Sequence, residues 1–330
     1  MRNRILIITA SDETNVGRVV EELNTTGARS FRLDTDRLLE DYIFSSTTIG
    51  RETHWSIQGR NDSLVSKEVR AIWYRRPRDP RAAATVDSRH REFVETEGKK
   101  FLRTLWSVTD NQGIFWLNHP RVLRTMESNK LLQLQLAAQT GLQVPETIVT
   151  NDVLAAKNFF ERWQGDIIIK TFGGVPIQTK DGEEHVIYTN RVSREMLEQF
   201  SKGIHLGPVM LQNYIPKALE LRITVVGNTF FTCAIYSQES IRTRDDWRRY
   251  DLKRVRHVPF ALPRDTEVKL NRFMELSGLT FGAIDVVVTP QGDYVFLEVN
   301  PSGQWQWIEV LTGMPISRAI AELLANPQTK

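Results

Sequence analysis

Apolar positions along the chain alternate between short strand-like runs and helical faces. "RILIITA" (Arg4 to Ala10) is a buried-strand run, and Asn15 to Leu23 then has helical spacing that ends before Gly27. "AIWYRR" (Ala71 to Arg76) is a second strand, stopped by Pro77. Phe93, Phe101, Leu102, Leu105 and Trp106 fall on one face of a helix. Strands alternating with helices predict an α/β N-terminal domain ending near "NHPR", Asn118 to Arg121.

Beyond it, Ser128 to Gln139 reads as a helix closed by Gly141, with Pro145 following. "DIIIKTFGG" is a strand running into a glycine turn, and "EHVIYTN" and "VMLQNYI" are further strands. Gly227-Asn228 between two apolar runs signals a hairpin. Asp265 begins a helix through Leu276, closed by Gly278. "GAIDVVVTPQGDYVFLEVN" is a second hairpin, turning at Pro290 to Asp293, and the last helix runs from about Ile316 to Ala325.

That second hairpin carries acids among apolar residues. Asp285 lies on one arm, Glu298 and Asn300 on the other. Period-two alternation puts Tyr294, Phe296, Glu298 and Asn300 on one side of the strand. Carboxylates and an amide are hard oxygen ligands of the kind magnesium takes, with phosphate and water completing its shell. Two facing carboxylates repel unless positive charge sits between them. The competing reading is a polar strand face in water, but "AIDVVV" and "FLEV" are too apolar around their acids to favour it.

Composition narrows the class. The 330 residues suffice for two domains or three small ones. Lys plus Arg number 43 and Asp plus Glu 40, a net +3 too weak to imply nucleic acid. The single cysteine, Cys233, excludes an internal disulfide or a thiolate metal cluster, and its apolar setting makes it a core residue. No apolar run approaches the ~18 residues of a membrane span, and "ILII" is too short for a signal-peptide core. The expectation is a cytoplasmic globular protein. "ASDETNVG" lacks G-x-G-x-x-G, which argues against a dinucleotide site there.

Cations that suit a magnesium phosphate are also present. Lys170 ends an apolar strand immediately before "TFGG", where Gly173 and Gly174 can close backbone N–H groups over a phosphate. Lys130 in "ESNKLL" is a second candidate, against the plain reading of a solvated helix lysine. In "LQNYIPKALELR", Gln212, Asn213, Tyr214 and Ile215 form an extended segment whose backbone could meet an adenine edge. Glu220 suits two ribose hydroxyls, and Arg222 a phosphate or acyl phosphate; an ordinary surface Glu–Arg ladder is the alternative.

In this order, "SNK", "IIIK" with "TFGG", "LQNYI" with "ELR", and "GAIDVVV" with "FLEVNPSGQW" resemble the ATP-grasp superfamily from roughly Pro120 onward. The resemblance implies an α/β (α+β) ATP-grasp fold behind an N-terminal pre-ATP-grasp α/β domain. Its expected divisions are residues 1–120, a central subdomain 121–208 and a C-terminal subdomain 209–330. It implies ATP between the two subdomains, with Lys130 and Lys170 on the phosphates, Gln212 to Ile215 at adenine, Glu220 at ribose and Arg222 at a phosphate. Asp285, Glu298 and Asn300 would hold Mg²⁺.

"IWYRRPR", "YIPKALELRITVVG", "DWR" (Asp246 to Arg248), "EVNPSGQWQWIE" and "TGMPISRAIAELL" resemble more closely the microviridin-type ATP-grasp ligases, the graspetide synthetases. These join Asp or Glu side chains of ribosomal precursor peptides to Thr or Ser hydroxyls, or to Lys amines. The resemblance implies a precursor peptide as partner, with Arg248 receiving its acidic side chains. Asp181, Glu183 and Glu184, on the acidic hairpin "TKDGEEHVIY", could meet a basic leader.

Two other readings stay open: an ATP-grasp ligase that adds an amino acid to a peptide or protein, and a non-catalytic nucleotide- or peptide-binding protein. The tract "RTRDDWRRYDLKRVRH" has seven Lys or Arg with Trp247 and Tyr250 between them, but three aspartates dilute it as a nucleic-acid site. No nucleic-acid or membrane partner is expected, and a homodimer is left open.

Overall fold

A computed structural model describes residues 3–110, 113–173, 177–178, 181, 184–185, 189–240, 247 and 254–327. The chain forms two compact units. One comprises Met1–Leu123 with Ser302–Glu309 and Pro315–Lys330; the other comprises Arg124–Pro301 with Val310–Met314.

The first unit is built on a parallel sheet in the order Arg29–Asp34, Arg4–Thr9, Val69–Tyr74, Phe115–Leu117. Ile5 to Ile8 are fully buried, as expected of a central parallel strand. A three-stranded antiparallel meander, Ile43–Ile49, Glu52–Gln58 and Ser63–Val65, has no counterpart in the sequence reading. Its first strand, "IFSSTTI", is too polar to show a buried run. The helix expected near Phe93 spans Arg91–Asp110 and buries Leu102, Leu105 and Trp106, while Phe93 is exposed. The face formed by the named apolar residues therefore begins a little over two turns later, at Phe101 and Leu102.

Arg75 and Arg76 fold against the tail segment of the same unit. Buried Arg75 donates from Nη1 to the carbonyls of Ser302 (2.7 Å) and Gly303 (3.1 Å), and its guanidinium lies 4.7 Å from the Trp305 ring centroid. Burial, reinforced by neighbouring Arg76, pushes the Arg75 pKa down to about 9, with Glu13 opposing. Arg76, at φ +47°, donates from Nε to Ser302 O at 2.8 Å. "YRR" and "PSGQW" are thus one structural device.

The second unit holds a four-stranded antiparallel sheet in the order Asn190–Arg191, Ile167–Lys170, Val209–Asn213, Thr147–Thr150. Strand Val209–Asn213 pairs with Ile167–Lys170, so the sheet runs past the division expected at residue 208. Ile177–Gln178 pairs with Glu184–His185 as a small hairpin. "EHVIYTN", read as one strand, contributes Glu184–His185 and the first residue of Asn190–Arg191, and its residues 186–188 lie outside the described residues.

The unit's second sheet is antiparallel, in the order His257–Pro259, Thr229–Ile235, Leu219–Val226, Phe281–Val288, Tyr294–Asn300. Both expected hairpins are present, with Gly227 and Gly292 at positive φ in their turns. Gly282 is required by close approach: a β-carbon there would lie 2.9 Å from the Val299 side chain. Cys233 is buried, and burial pushes its thiol up to about 12, which fits a core residue and not a nucleophile.

Candidate functional site

The hairpin Phe281–Val288/Tyr294–Asn300 places Asp285 directly opposite Glu298, and Ala283 opposite Asn300. Register partners share a face, so Glu298 and Asn300 lie on the side of Asp285, as the sequence suggested. Phe296 and Tyr294 do not belong with them. The register shifts between Asp285 and Val286, so Leu297 and Glu298 together oppose Asp285. This bulge reverses the alternation. Phe296 turns into the core against Phe273, with ring centroids 4.8 Å apart, while Leu297 and Glu298 both line a cavity.

That cavity, with about 560 Å³ of empty space counted to its open mouth, gathers eight of the predicted residues. Gln212, Asn213, Tyr214 and Ile215 form one stretch of its lining. Lys170, Glu220, Asp285 and Glu298 also line it, together with Lys217, Thr189 and Trp247. The sequence reading assigned no role to Lys217 or Trp247. Lys217 stands three residues before Glu220, which was the available signal; Trp247 was visible only as an aromatic within a basic tract.

Each acid has a cation beside it. Arg222 Nη1 donates to both Asp285 oxygens at 3.0 and 3.1 Å, with both side chains buried. Lys130 Nζ is 2.9 Å from Glu298 Oε2. Lys217 Nζ donates to Glu220 Oε1 at 3.1 Å. Lys130 opens the helix Lys130–Gln139, whose N-cap Asn129 accepts from Leu132 N. It is therefore a paired lysine at a helix N-terminus and not a solvated surface one. Burial raises the Glu220 pKa; Lys217 and the Ser237 hydroxyl pull against that, and Asp285 adds to it.

Two buried polar atoms of these residues have no partner, Gln212 Oε1 and Arg222 Nε. Gln212 Nε2 meanwhile donates to Thr147 Oγ1 at 2.8 Å. The Arg222 guanidinium is 5.6 Å from the Trp247 ring centroid. The backbone N–H of Asn213 donates to Glu146 O and that of Tyr214 to Asp166 O, so neither is available to a base. Unsatisfied buried groups beside a cavity of mixed charge fit a polar ligand that supplies both donors and acceptors.

Among the described residues no three His, Cys, Asp or Glu side chains gather where they could hold one metal ion. Asp285 and Glu298 with the Asn300 amide are a donor set that suits Mg²⁺ when phosphate oxygens complete its shell. Gly173 is exposed, with nothing within 4 Å of where a β-carbon would stand. Asp181 is exposed in the turn between Ile177–Gln178 and Glu184–His185. Gly174, Glu183 and Arg248 lie outside the described residues, as does the side chain of Glu184.

Residues 4–124 match the family described as the MvdD pre-ATP grasp domain, and residues 127–324 match the RimK-like ATP-grasp domain. Among solved structures, the macrocyclase MdnC bound with precursor peptide MdnA, from Microcystis aeruginosa MRC, is 34% identical with a TM-score of 0.84. The match covers 98% of this chain and 99% of that one. A Chryseobacterium gregarium RiPP-associated ATP-grasp ligase in complex with ADP and a leader and core peptide is 28% identical, with a TM-score of 0.90. That match covers 99% of this chain and 98% of the other. Curated relatives include a "Probable alpha-L-glutamate ligase" of Desulfotalea psychrophila, 25% identical over 63% of this chain. A protein of the same description from Trichodesmium erythraeum is 26% identical over 64% of this chain. The matches span 43% and 68% of those two proteins.

Proposed function

The chain belongs to the RimK-like ATP-grasp family, behind an MvdD pre-ATP grasp domain, and on that premise we propose that it is an ATP-dependent macrocyclase of a ribosomally made precursor peptide. The observation that carries the chemistry is Asp285 opposite Glu298 on the wall of a cavity that Gln212 to Ile215 also line. The peptide substrate rests on the similarity to MdnC, which runs through the N-terminal domain.

A carboxylate is a poor electrophile because oxide is a poor leaving group. Transfer of the γ-phosphoryl group of ATP to an Asp or Glu side chain gives an acyl phosphate and ADP. A Thr or Ser hydroxyl, or a Lys amine, then attacks the acyl carbon. Phosphate leaves with the carboxylate oxygen, the nucleophile loses its proton, and an ester or amide closes the ring. The stoichiometry is one ATP consumed and one water lost per bond.

Gln212, Asn213, Tyr214 and Ile215 would take the base, Glu220 the ribose hydroxyls, and Lys130, Lys170, Gly173 and Gly174 the phosphates. Asp285, Glu298 and Asn300 would hold Mg²⁺, which neutralises charge on the phosphoryl oxygens when bound. Lys130 and Arg222, paired with Glu298 and Asp285, would supply positive charge beside the phosphates. Arg222 and Arg248 would orient the peptide carboxylate and stabilise the tetrahedral intermediate. Asp181, Glu183 and Glu184 are proposed to grip a basic leader, a tether that raises the local concentration of core side chains.

A peptide whose Asp and Glu carboxylates carry a heavy-oxygen label tests the route. Label transferred into the released phosphate supports acyl phosphate chemistry; unlabelled phosphate overturns it. Addition of a free amino acid is the second reading, favoured by the "Probable alpha-L-glutamate ligase" relatives. Those alignments cover only 63% and 64% of the chain.

A further inference from the structure

Strand Tyr294–Asn300 is the edge of its sheet; among the described residues no further strand pairs with its outer side, which carries only the isolated parallel bridge of Val295 to Gln143. An unpaired edge next to a bulge is free to slip or twist. Glu298 sits in that bulge, so its placement depends on what holds the outer edge.

Two glutamines hold it, one on each side of the bulge. Before it, Phe296 N donates to the backbone oxygen of Gln143 at 2.8 Å. After it, the Gln133 side chain grips Val299 at both backbone groups. Val299 N donates to Gln133 Oε1 at 2.9 Å, and Gln133 Nε2 donates to Val299 O at 3.0 Å. The same Nε2 donates to Met126 O at 2.7 Å. The carboxamide stands where a neighbouring strand's peptide group would be.

Gln133 is 1% exposed. Packing alone would be served by leucine or methionine, because burying an amide costs free energy unless its bonds are made. Here those bonds go to the residue between Glu298 and Asn300. Lys130, one helical turn earlier, reaches Glu298 from the same helix. The helix thus meets adjacent residues of the edge strand, one through charge and one through an amide.

We propose that Gln133 is a positioning residue, whose amide clamp on Val299 fixes the register in which Glu298 and Asn300 present their oxygens together with Asp285. This rests on the assignment of Glu298 and Asn300 to Mg²⁺. The clamp predicts that metal affinity, and not only stability, depends on a side chain that touches neither metal nor nucleotide.

The experiment compares full-length wild type, Gln133→Met, Gln133→Glu and Glu298→Gln. Circular dichroism first establishes which variants fold. Calorimetry then measures binding of a non-hydrolysable ATP analogue with and without Mg²⁺, and hydrogen exchange reports on the segment containing Val299. In Gln133→Met that segment should exchange faster, and the Mg²⁺ concentration for half-maximal tightening should rise by roughly 10–100-fold, the usual cost of removing a group that orients a ligand. Metal-free analogue affinity should be unchanged. Gln133→Glu keeps the acceptor for Val299 N–H but loses the donor to Val299 O and Met126 O, so it should shift the midpoint in the same direction; it decides the matter if Gln133→Met does not fold. A wild-type Mg²⁺ midpoint in the folded Gln133 variants overturns the clamp. If Glu298→Gln shifts the midpoint while they do not, the metal assignment stands without the clamp. If none shifts, both fail.

Discussion

Asp285 and Glu298 stand residue to residue across an antiparallel pair, yet a different cation neutralises each, Arg222 for the first and Lys130 for the second. Each of the facing carboxylates is thus neutralised by its own cation from within the protein.

Glu298→Gln should remove a metal ligand while keeping the side chain's shape. ADP release should fall by roughly 100-fold or more, the scale seen when one preorganised charge contact is deleted. Peptide affinity should be retained. A coupled ADP assay and a fluorescence titration with labelled peptide check both; wild-type turnover would remove Glu298 from the metal site.

Breaking the buried Arg222–Asp285 pair from either side leaves an uncompensated buried charge. Arg222→Met and Asp285→Asn should each lower unfolding free energy by about 3–5 kcal/mol, and the double variant by less than their sum. Urea denaturation of the four proteins checks this. Additive losses would mean that the two groups do not depend on each other.

Lys170→Ala should weaken ATP binding by about 1.5–3 kcal/mol, the range for a charge-assisted hydrogen bond. Calorimetry measures it directly. Unchanged affinity would take Lys170 out of the nucleotide site, although it lines the cavity.

His257 supplies a pH dependence. Burial lowers its pKa from the ordinary 6.5, partly offset by the hydrogen bond between Nδ1 and Val255 O at 2.8 Å. As pH falls below about 6.5, the unfolded chain takes up a proton before the folded one does, so the unfolded state gains. Stability is full above that pH and declines through the window down to the lowered folded value. His257→Gln should flatten that part of the melting-temperature profile; an identical acid slope would assign it to carboxylates elsewhere.

Long apolar runs were legible because burial leaves a periodic signature: Ile5 to Ile8 and both arms of each hairpin fell where the pattern put them. The bulge at Leu297 was not. It depends on how Asp285 pairs with a strand nine residues away in sequence or more, and strict period-two counting placed Phe296 beside Glu298. Gln133 looked like any polar residue in a helix, because its partner, Val299, lies 166 positions along the chain. Ser45 to Thr48 carry strand pairing with almost no apolar content, so the first strand of the meander left no trace in hydropathy. Arg75 and Arg76 stood out as a motif, but their purpose became visible only once Ser302 and Gly303 were beside them.

The most direct measurement is mass spectrometry of a precursor peptide treated with the ligase, ATP and Mg²⁺, with nucleotides quantified in the same sample. For a macrocyclase working through acyl phosphates, the peptide should lose one water for each ADP formed, in successive steps, and no AMP should appear. AMP in place of ADP, or a peptide that gains the mass of an amino acid, would contradict the assignment.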